Sequence, residues 1–256
     1  MARYGRADPP TLGPVTMMAE HLRGALSPEF NPPDAVVVII SGGLDSATLV
    51  YHLRAQGSDV RMLSFDYGQR HVRELNCARL IAQDLQLCHH VVDLRPVGAL
   101  LGGSALTDLR KAVPDGHYTD ESMRATVVPN RNALMLDVAV AAAVTAGCDA
   151  VAFGAHGGDH VIYPDCRPEF VDAFTTSARM ANDGFLAAGF RVLAPFLHLT
   201  KAEIVRLGAG YGVPFERTWS CYRGGARHCG RCGTCTERRE AFQLAQVPDP
   251  TCYEAV

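Results

Sequence analysis

A doubly wound, mostly parallel α/β sheet with a small cysteine-rich C-terminal module is the architecture this sequence predicts, and three features predict it. From residue 35 onward, short runs of β-branched residues alternate with helical stretches at the rhythm of repeated β-α units. A Ser-Gly-Gly turn (Ser41, Gly42, Gly43) separates the first apolar run from the first helical stretch. Four cysteines, Cys221, Cys229, Cys232 and Cys235, crowd one short segment near the C-terminus.

Composition bounds the answer. The chain has 256 residues, 48% of them hydrophobic and 20% charged, with a net charge of −3. That apolar content excludes a disordered chain and supports one large core. The apolar runs 35–40 and 134–146 are too short for a membrane span, and Asp137 interrupts the second, so no membrane segment is expected. Residues 1–34 lack an apolar stretch after a basic start, which argues against a secretory signal and for a cytoplasmic protein. In that compartment nine cysteines read as metal ligands or core residues, not as a disulfide framework. The mildly acidic balance argues against a surface that tracks nucleic acid.

The elements follow in order. Residues 1–34 read as an extension, with Met18, Leu22 and Leu26 spaced for one short helix. Five β-branched residues at 36–40 predict a strand buried on both faces. Helices are expected at 44–56 and 70–87, and strands at 60–65 and 89–92. Gly102, Gly103, Pro114 and Gly116 mark 102–125 as a long loop. An Ala-rich helix at 130–145, a strand at 150–154, a helix at 168–188 and a strand at 191–193 come next. Thr200 and Glu203 form a capping box opening a helix at 200–208. Residues 217–240 break the rhythm, and 241–256 show little pattern beyond a turn at 248–250. Three units result: 1–34, 35–216 and 217–256.

The Ser41-Gly42-Gly43-Leu44-Asp45-Ser46 turn carries the first chemistry. Open parallel sheets bind ligands at the carboxyl ends of their strands. Two glycines allow a tight turn, and the helix start offers free N–H groups and a positive dipole end for an anion. Asp45, a carboxylate beside such a site, calls for a cation, which points to Mg²⁺. The turn is neither G-x-x-x-x-G-K-[ST] nor G-x-G-x-x-G.

Cys221, Cys229, Cys232 and Cys235 form C-x7-C-x2-C-x2-C, four soft ligands with no open position. That pattern predicts a structural Zn²⁺, with an iron–sulfur cluster, or His228 replacing one thiolate, as alternatives. Arg217, Arg223, Arg227, Arg231, Arg238 and Arg239 surround the cluster, as charge compensation or as a face for an anionic partner. Cys166, among polar neighbours, stands apart from the remaining cysteines. Arg131 at a helix entrance, and Asp159, Asp165 and Arg167 in or beyond a glycine-rich loop after the fourth strand, form a candidate substrate group. Of 24 basic residues 22 are arginine, so Lys201 at a helix start stands out. A compact ammonium there suits a phosphate.

Ser-Gly-Gly-x-Asp-Ser resembles the pyrophosphate loop of the PP-loop ATP pyrophosphatase superfamily. Together with FDYGQRH (65–71), VPNRN (128–132), GAHGGD (154–159), YPDCRPEF (163–170) and the cysteine segment, it is similar to the QueC type, the 7-cyano-7-deazaguanine synthase family, from Val36 to about Tyr253. The resemblance implies an ATP-dependent ligase that joins 7-carboxy-7-deazaguanine and ammonia through an adenylate and an amide to the nitrile, for queuosine or archaeosine biosynthesis. It implies a homodimer that does not itself bind nucleic acid. It implies ATP contacts by Ile40, Ser41, Gly42, Gly43, Leu44, Asp45, Ser46, Ala47, Thr48, Leu49 and Val50, with Tyr67, Gln69 and Arg70 lining the nucleotide pocket. Asp45, Lys201 and Arg131 would be catalytic, and Arg131, Asp159, Asp165 and Arg167 would grip the acid. Two features depart from the pattern: Asn130, where glycine is common, and the 34-residue extension. The first puts a local turn in question; the second leaves open a paralog that adenylates tRNA or a protein or stops at the amide, and a module that binds nucleotide without catalysis is a further alternative.

Overall fold

A computed structural model describes residues 30–117, 123–159 and 163–255. Five strands, β1 (Ala35–Ile39), β2 (Asp59–Asp66), β3 (His89–Asp93), β4 (Ala150–Ala152) and β5 (Arg191–Leu193), form one sheet in the order β3-β2-β1-β4-β5. Every pairing is parallel, with Val36 opposite Val60 on one side and Ala150 on the other. The expected doubly wound sheet is therefore present. The strand order reverses between β1 and β4, and the crevice at their carboxyl ends is where such sheets hold ligands.

The main helices are α1 (Leu44–Ala55), α2 (Glu74–Leu85), α3 (Arg95–Gly98), α4 (Arg131–Ala146), α5 (Pro168–Ala181), α6 (Lys201–Gly210) and α7 (Gly233–Ala245). Two buried clusters cover the two sheet faces. One joins β1 and β2 residues to α1, α6 and α7, and the other joins alternate strand residues to α4 and α5. The alternation follows from the strand period of two, which sends Val36 and Val38 to one face and Val37 to the other.

Several boundaries differ from expectation. The helix expected from residue 70 begins at Glu74, because Arg70 N–H donates to Leu106 O and the chain turns through 71–73 first. The helix expected to reach 188 ends at Ala181, ahead of Gly184 at φ +79°. Helix α7 was not anticipated. Its buried residues Cys235, Arg238, Ala241, Phe242 and Ala245 keep helical spacing, but the cysteine pattern obscured it. Ala241, Phe242 and Ala245 pack into the same core as β1 and α1, so the chain beyond residue 217 lies directly on the sheet domain. The short helix expected around residues 17–26 lies outside the described residues, as does His160.

The expected capping box is present: Glu203 N–H donates to Thr200 Oγ1 at 3.3 Å and Thr200 N–H to Glu203 Oε2 at 2.7 Å. A cap of this kind is worth about 1 kcal/mol and sets Lys201 as the first residue of α6. Asn130 adopts φ 57°, the left-handed conformation that glycine takes freely and asparagine better than most residues. Asparagine thus meets here a backbone demand that glycine would also meet. Asn130 makes no side-chain cap; Asp165 Oδ2 accepts from Asn132 N–H at 3.1 Å instead.

Candidate active site

A cavity of about 230 Å³ opens at the reversal point. One end is the 41–46 turn. Gly42 sits at φ +91°, and a Cβ there would meet Glu74 O at 2.1 Å, so only glycine fits. Ser41 Oγ accepts from Gly43 N–H at 3.1 Å and lies 3.1 Å from Ser46 Oγ, which knits the turn shut. Gly43 caps α1 without a side-chain bond, which leaves first-turn N–H groups directed at the crevice. Ile40, Ser41, Gly43, Leu44, Asp45 and Ser46 line the cavity. Ala47, Thr48, Leu49 and Val50 are buried behind it, and Thr48 Oγ1 donates to Leu44 O.

Lys201 enters from α6. Its Nζ donates to Glu237 Oε2 at 2.7 Å and stands 3.5 Å from Asp45 Oδ2. Burial works against its charge, but Asp45, Glu237 and Asp159 outweigh it and hold the ammonium protonated. Asp45 Oδ1 is buried without a hydrogen-bond partner. A carboxylate oxygen left in that state has room for a cation, so the donor set fits a metal carried with a polyphosphate. Asp159 borders the same end, with Oδ2 accepting from His156 N–H at 3.1 Å. Burial raises its carboxyl above the usual range, with His156 and Lys201 opposing.

The other end is aromatic and cationic. Arg131 approaches the Tyr67 ring at 5.9 Å and donates to Tyr67 Oη at 3.3 Å. Among the described residues it forms no ion pair with a carboxylate. Asn132, Cys166 and Tyr222 line the cavity with it, as do His71, Glu74 and Trp219, the last two with backbones against the Gly42 turn. Burial pushes the Glu74 carboxyl up to about 8, against the Gln69 hydrogen bond and Arg131, and pushes His71 down to about 3.

Gln69 and Arg70 stand outside the lining. Gln69 braces the strand end, accepting from Tyr67 N–H and donating to Phe65 O and Glu74 Oε1. Arg70 pins the long loop by donating to Asp108 O and Lys111 O. Asp165 is also outside, engaged at the α4 entrance, and Arg167 is exposed at the start of α5. The sequence reading missed Glu74, His71 and Glu237. Glu237 carried one readable signal, a carboxylate two residues after a cysteine ligand on a helix that must face α6.

The four cysteine sulfurs lie within 4.8 Å of one another and could hold a metal ion. Cys229 and Cys235 Sγ are 4.0 Å apart, as are Cys221 and Cys232 Sγ, near the ~3.8 Å edge of a tetrahedron with 2.3 Å metal–sulfur bonds. Backbone N–H groups of Arg231 and Cys232 point at Cys229 Sγ, and that of Cys229 points at Cys221 Sγ. His228 is not a fourth ligand: its Nε2 accepts from Ser220 N–H at 3.1 Å and its ring packs on Trp219. The arginines serve different ends. Arg238 is buried, with bonds to Thr251, Thr218, Ser220 and Phe215 O, and Arg217 pairs with Asp84. The cluster is tied to the 41–46 turn, because Trp219 N–H donates to Gly42 O at 2.9 Å.

Comparison with known proteins gives the family. The family model described as "Queuosine biosynthesis protein QueC" matches residues 35–246. The chain is 59% identical over 218 residues to the 7-cyano-7-deazaguanine synthase of Paracoccus denitrificans, covering 85% of this chain and 92% of that protein. It is 56% identical to the Brucella ovis protein of the same name over 85% and 93%. Among solved structures, NMN synthetase from Francisella tularensis shares the fold at TM-score 0.51 and 15% identity, over 91% of this chain and 87% of that one. On the family match and these identities, the chain belongs to the QueC family.

Proposed function

We propose that the chain is an ATP-dependent carbon–nitrogen ligase that converts 7-carboxy-7-deazaguanine and ammonia into 7-cyano-7-deazaguanine, the product for which its relatives are named. One observation carries the reading. A single cavity has a polyphosphate turn with a half-buried lysine at one end and, at the other, a half-buried arginine with no acidic partner among the described residues.

Arg131 pairs with the substrate carboxylate, and Tyr67 and Tyr222 flank the ring. The carboxylate attacks the α-phosphorus of ATP, and pyrophosphate departs into the N–H groups of α1 and the hydroxyls of Ser41 and Ser46. Lys201 steadies the charge that develops around the α-phosphate. Asp45, through its unpartnered oxygen, would hold Mg²⁺, whose charge offsets that of the phosphates. Ammonia displaces AMP from the acyl adenylate to give the amide. A second ATP activates the amide oxygen, and loss of a second AMP leaves the nitrile. Asp159 faces this centre, whereas Asp165 braces the α4 entrance through the Asn132 N–H.

Four converging thiolates suit Zn²⁺ in a structural role, held by Cys221, Cys229, Cys232 and Cys235. We also propose a homodimer in the cytoplasm. Among the described residues no helix is long and apolar enough to cross a membrane. Mass spectrometry of the products from ATP, ammonia and the deazaguanine acid tests the reading. The nitrile, with two AMP per nitrile, is expected; no acid-dependent AMP at any pH would overturn it.

A further inference from the structure

The nitrogen that enters as ammonia leaves as a nitrile, so three protons must come off one atom. Amide formation releases one, when the attacking nitrogen loses its positive charge. Nitrile formation releases two, as the activated amide nitrogen is stripped and the C–O bond to AMP breaks. A base beside the reacting carbon is therefore needed at two separate stages, whereas both adenylation steps move no proton.

Among the described residues, three carboxylates line the cavity: Asp45, Asp159 and Glu74. The first two sit at the phosphate end beside Lys201, where Asp45 faces the ammonium and Asp159 is bound to the His156 backbone. Glu74 packs its backbone carbonyl against the Gly42 turn, and its side chain lines the cavity within electrostatic reach of Arg131, where the acid's carboxyl carbon would be held. Its geometry is fixed through one oxygen. Oε1 accepts from Gln69 Nε2 at 3.1 Å and lies 3.4 Å from His71 Nε2. Among the described residues Oε2 makes no hydrogen bond. The Gln69 bonds to Tyr67 N–H and Phe65 O tie this bracing to the end of β2. His71 is itself buried and stacked on Tyr222 at 4.9 Å, with Nδ1 lacking a partner.

Building on the ligase reading, we propose that Glu74 is the catalytic base, whose Oε2 takes the nitrogen-borne protons in both amide formation and nitrile formation. Each transfer breaks an N–H bond and forms an O–H bond on Glu74. The electron pair left on nitrogen builds first the amide and then the triple bond as AMP leaves; Glu74 holds one proton at a time and passes each to water in the cavity before it takes the next. Burial, which raises the proton affinity of this carboxyl, makes it a stronger base than an exposed glutamate.

The test separates proton-moving from proton-neutral steps in the full chain. Wild type and Glu74→Gln are compared in acid-dependent exchange of pyrophosphate into ATP, and in conversion of the supplied carboxamide plus ATP to the nitrile. Glu74→Gln should keep exchange within about threefold and lose nitrile formation by about 100-fold or more, in the range of general-base catalysis. Glu74→Asp, which keeps a carboxylate at shorter reach, should restore part of that loss and decides the matter if the glutamine variant does not fold. Nitrile formation by Glu74→Gln at the wild-type rate would overturn the proposal, and so would an equal loss of exchange and nitrile formation in both variants. Absence of acid-dependent exchange in the wild type would instead overturn the ligase reading, and this proposal with it.

Discussion

Burying Glu74 has a cost in stability that Glu74→Gln should reveal. The native carboxyl is raised from 4.5 to about 8, chiefly by burial, with the Gln69 bond and Arg131 opposing. A folded-state value above the unfolded one means that the stabilisation is complete below pH 4.5. It is lost progressively as the pH climbs through 8, because the unfolded chain ionises first. A gap of that size amounts to roughly 5 kcal/mol at about 1.4 kcal/mol per unit. Glutamine keeps an acceptor for Gln69 and has no proton to lose. Urea unfolding of both proteins at half-unit steps from pH 4.5 to 9 measures the effect. The difference between the two curves cancels titrations they share, including that of buried His71, which is pushed down to about 3. The variant should gain steadily on the wild type across this window. Parallel profiles, with a constant difference to within about 1 kcal/mol, would refute the reasoning.

Other outcomes follow from the same geometry. Lys201→Ala removes the ammonium between Asp45 and Glu237, and pyrophosphate exchange should fall by about 10² to 10³-fold. Gly42→Ala places a methyl 2.1 Å from Glu74 O at φ +91°, so the melting temperature should drop and ATP titration should show little binding. Cys232→Ser should lose bound metal, read by elemental mass spectrometry, and unfold at lower urea, because structural metal binding is folding energy. A metal-free variant with full stability would contradict the structural role. Arg131→Gln should raise the KM for the acid far more than that for ATP, and equal changes in both would move Arg131 away from the carboxylate.

Legibility in the sequence tracked how few residue types a position tolerates. The 41–46 turn was readable because its backbone demands glycine and its ligand demands hydroxyls and N–H groups. The cysteine site was readable because spacing alone brings thiolates together. Lys201 was readable by its rarity and its capping box. Glu74 and Glu237 were not, since a carboxylate on an amphipathic helix looks solvated until tertiary packing turns it inward. Asp165 and Arg167 lie beside the right loop but outside the cavity lining, Asp165 accepting from the Asn132 N–H at the α4 entrance, and nothing in one-dimensional spacing separates an acid facing a cavity from one bonded to a helix start. Helix α7 kept its period in plain view, yet its apolar face shares residues with the metal ligands, and one pattern hid the other.

The scarcity of lysine gives the molecule an unusual chemical handle. Apart from the chain's own amino terminus, amine-selective reagents meet only two side chains. Lys111 is exposed, with its Nζ on Gly103 O, whereas Lys201 is shielded between two carboxylates that keep it protonated and unreactive. Acylation of the folded protein therefore tags the loop at Lys111 and spares the lysine in the cavity. That leaves a native enzyme with one addressable side-chain amine for a dye or a surface tether.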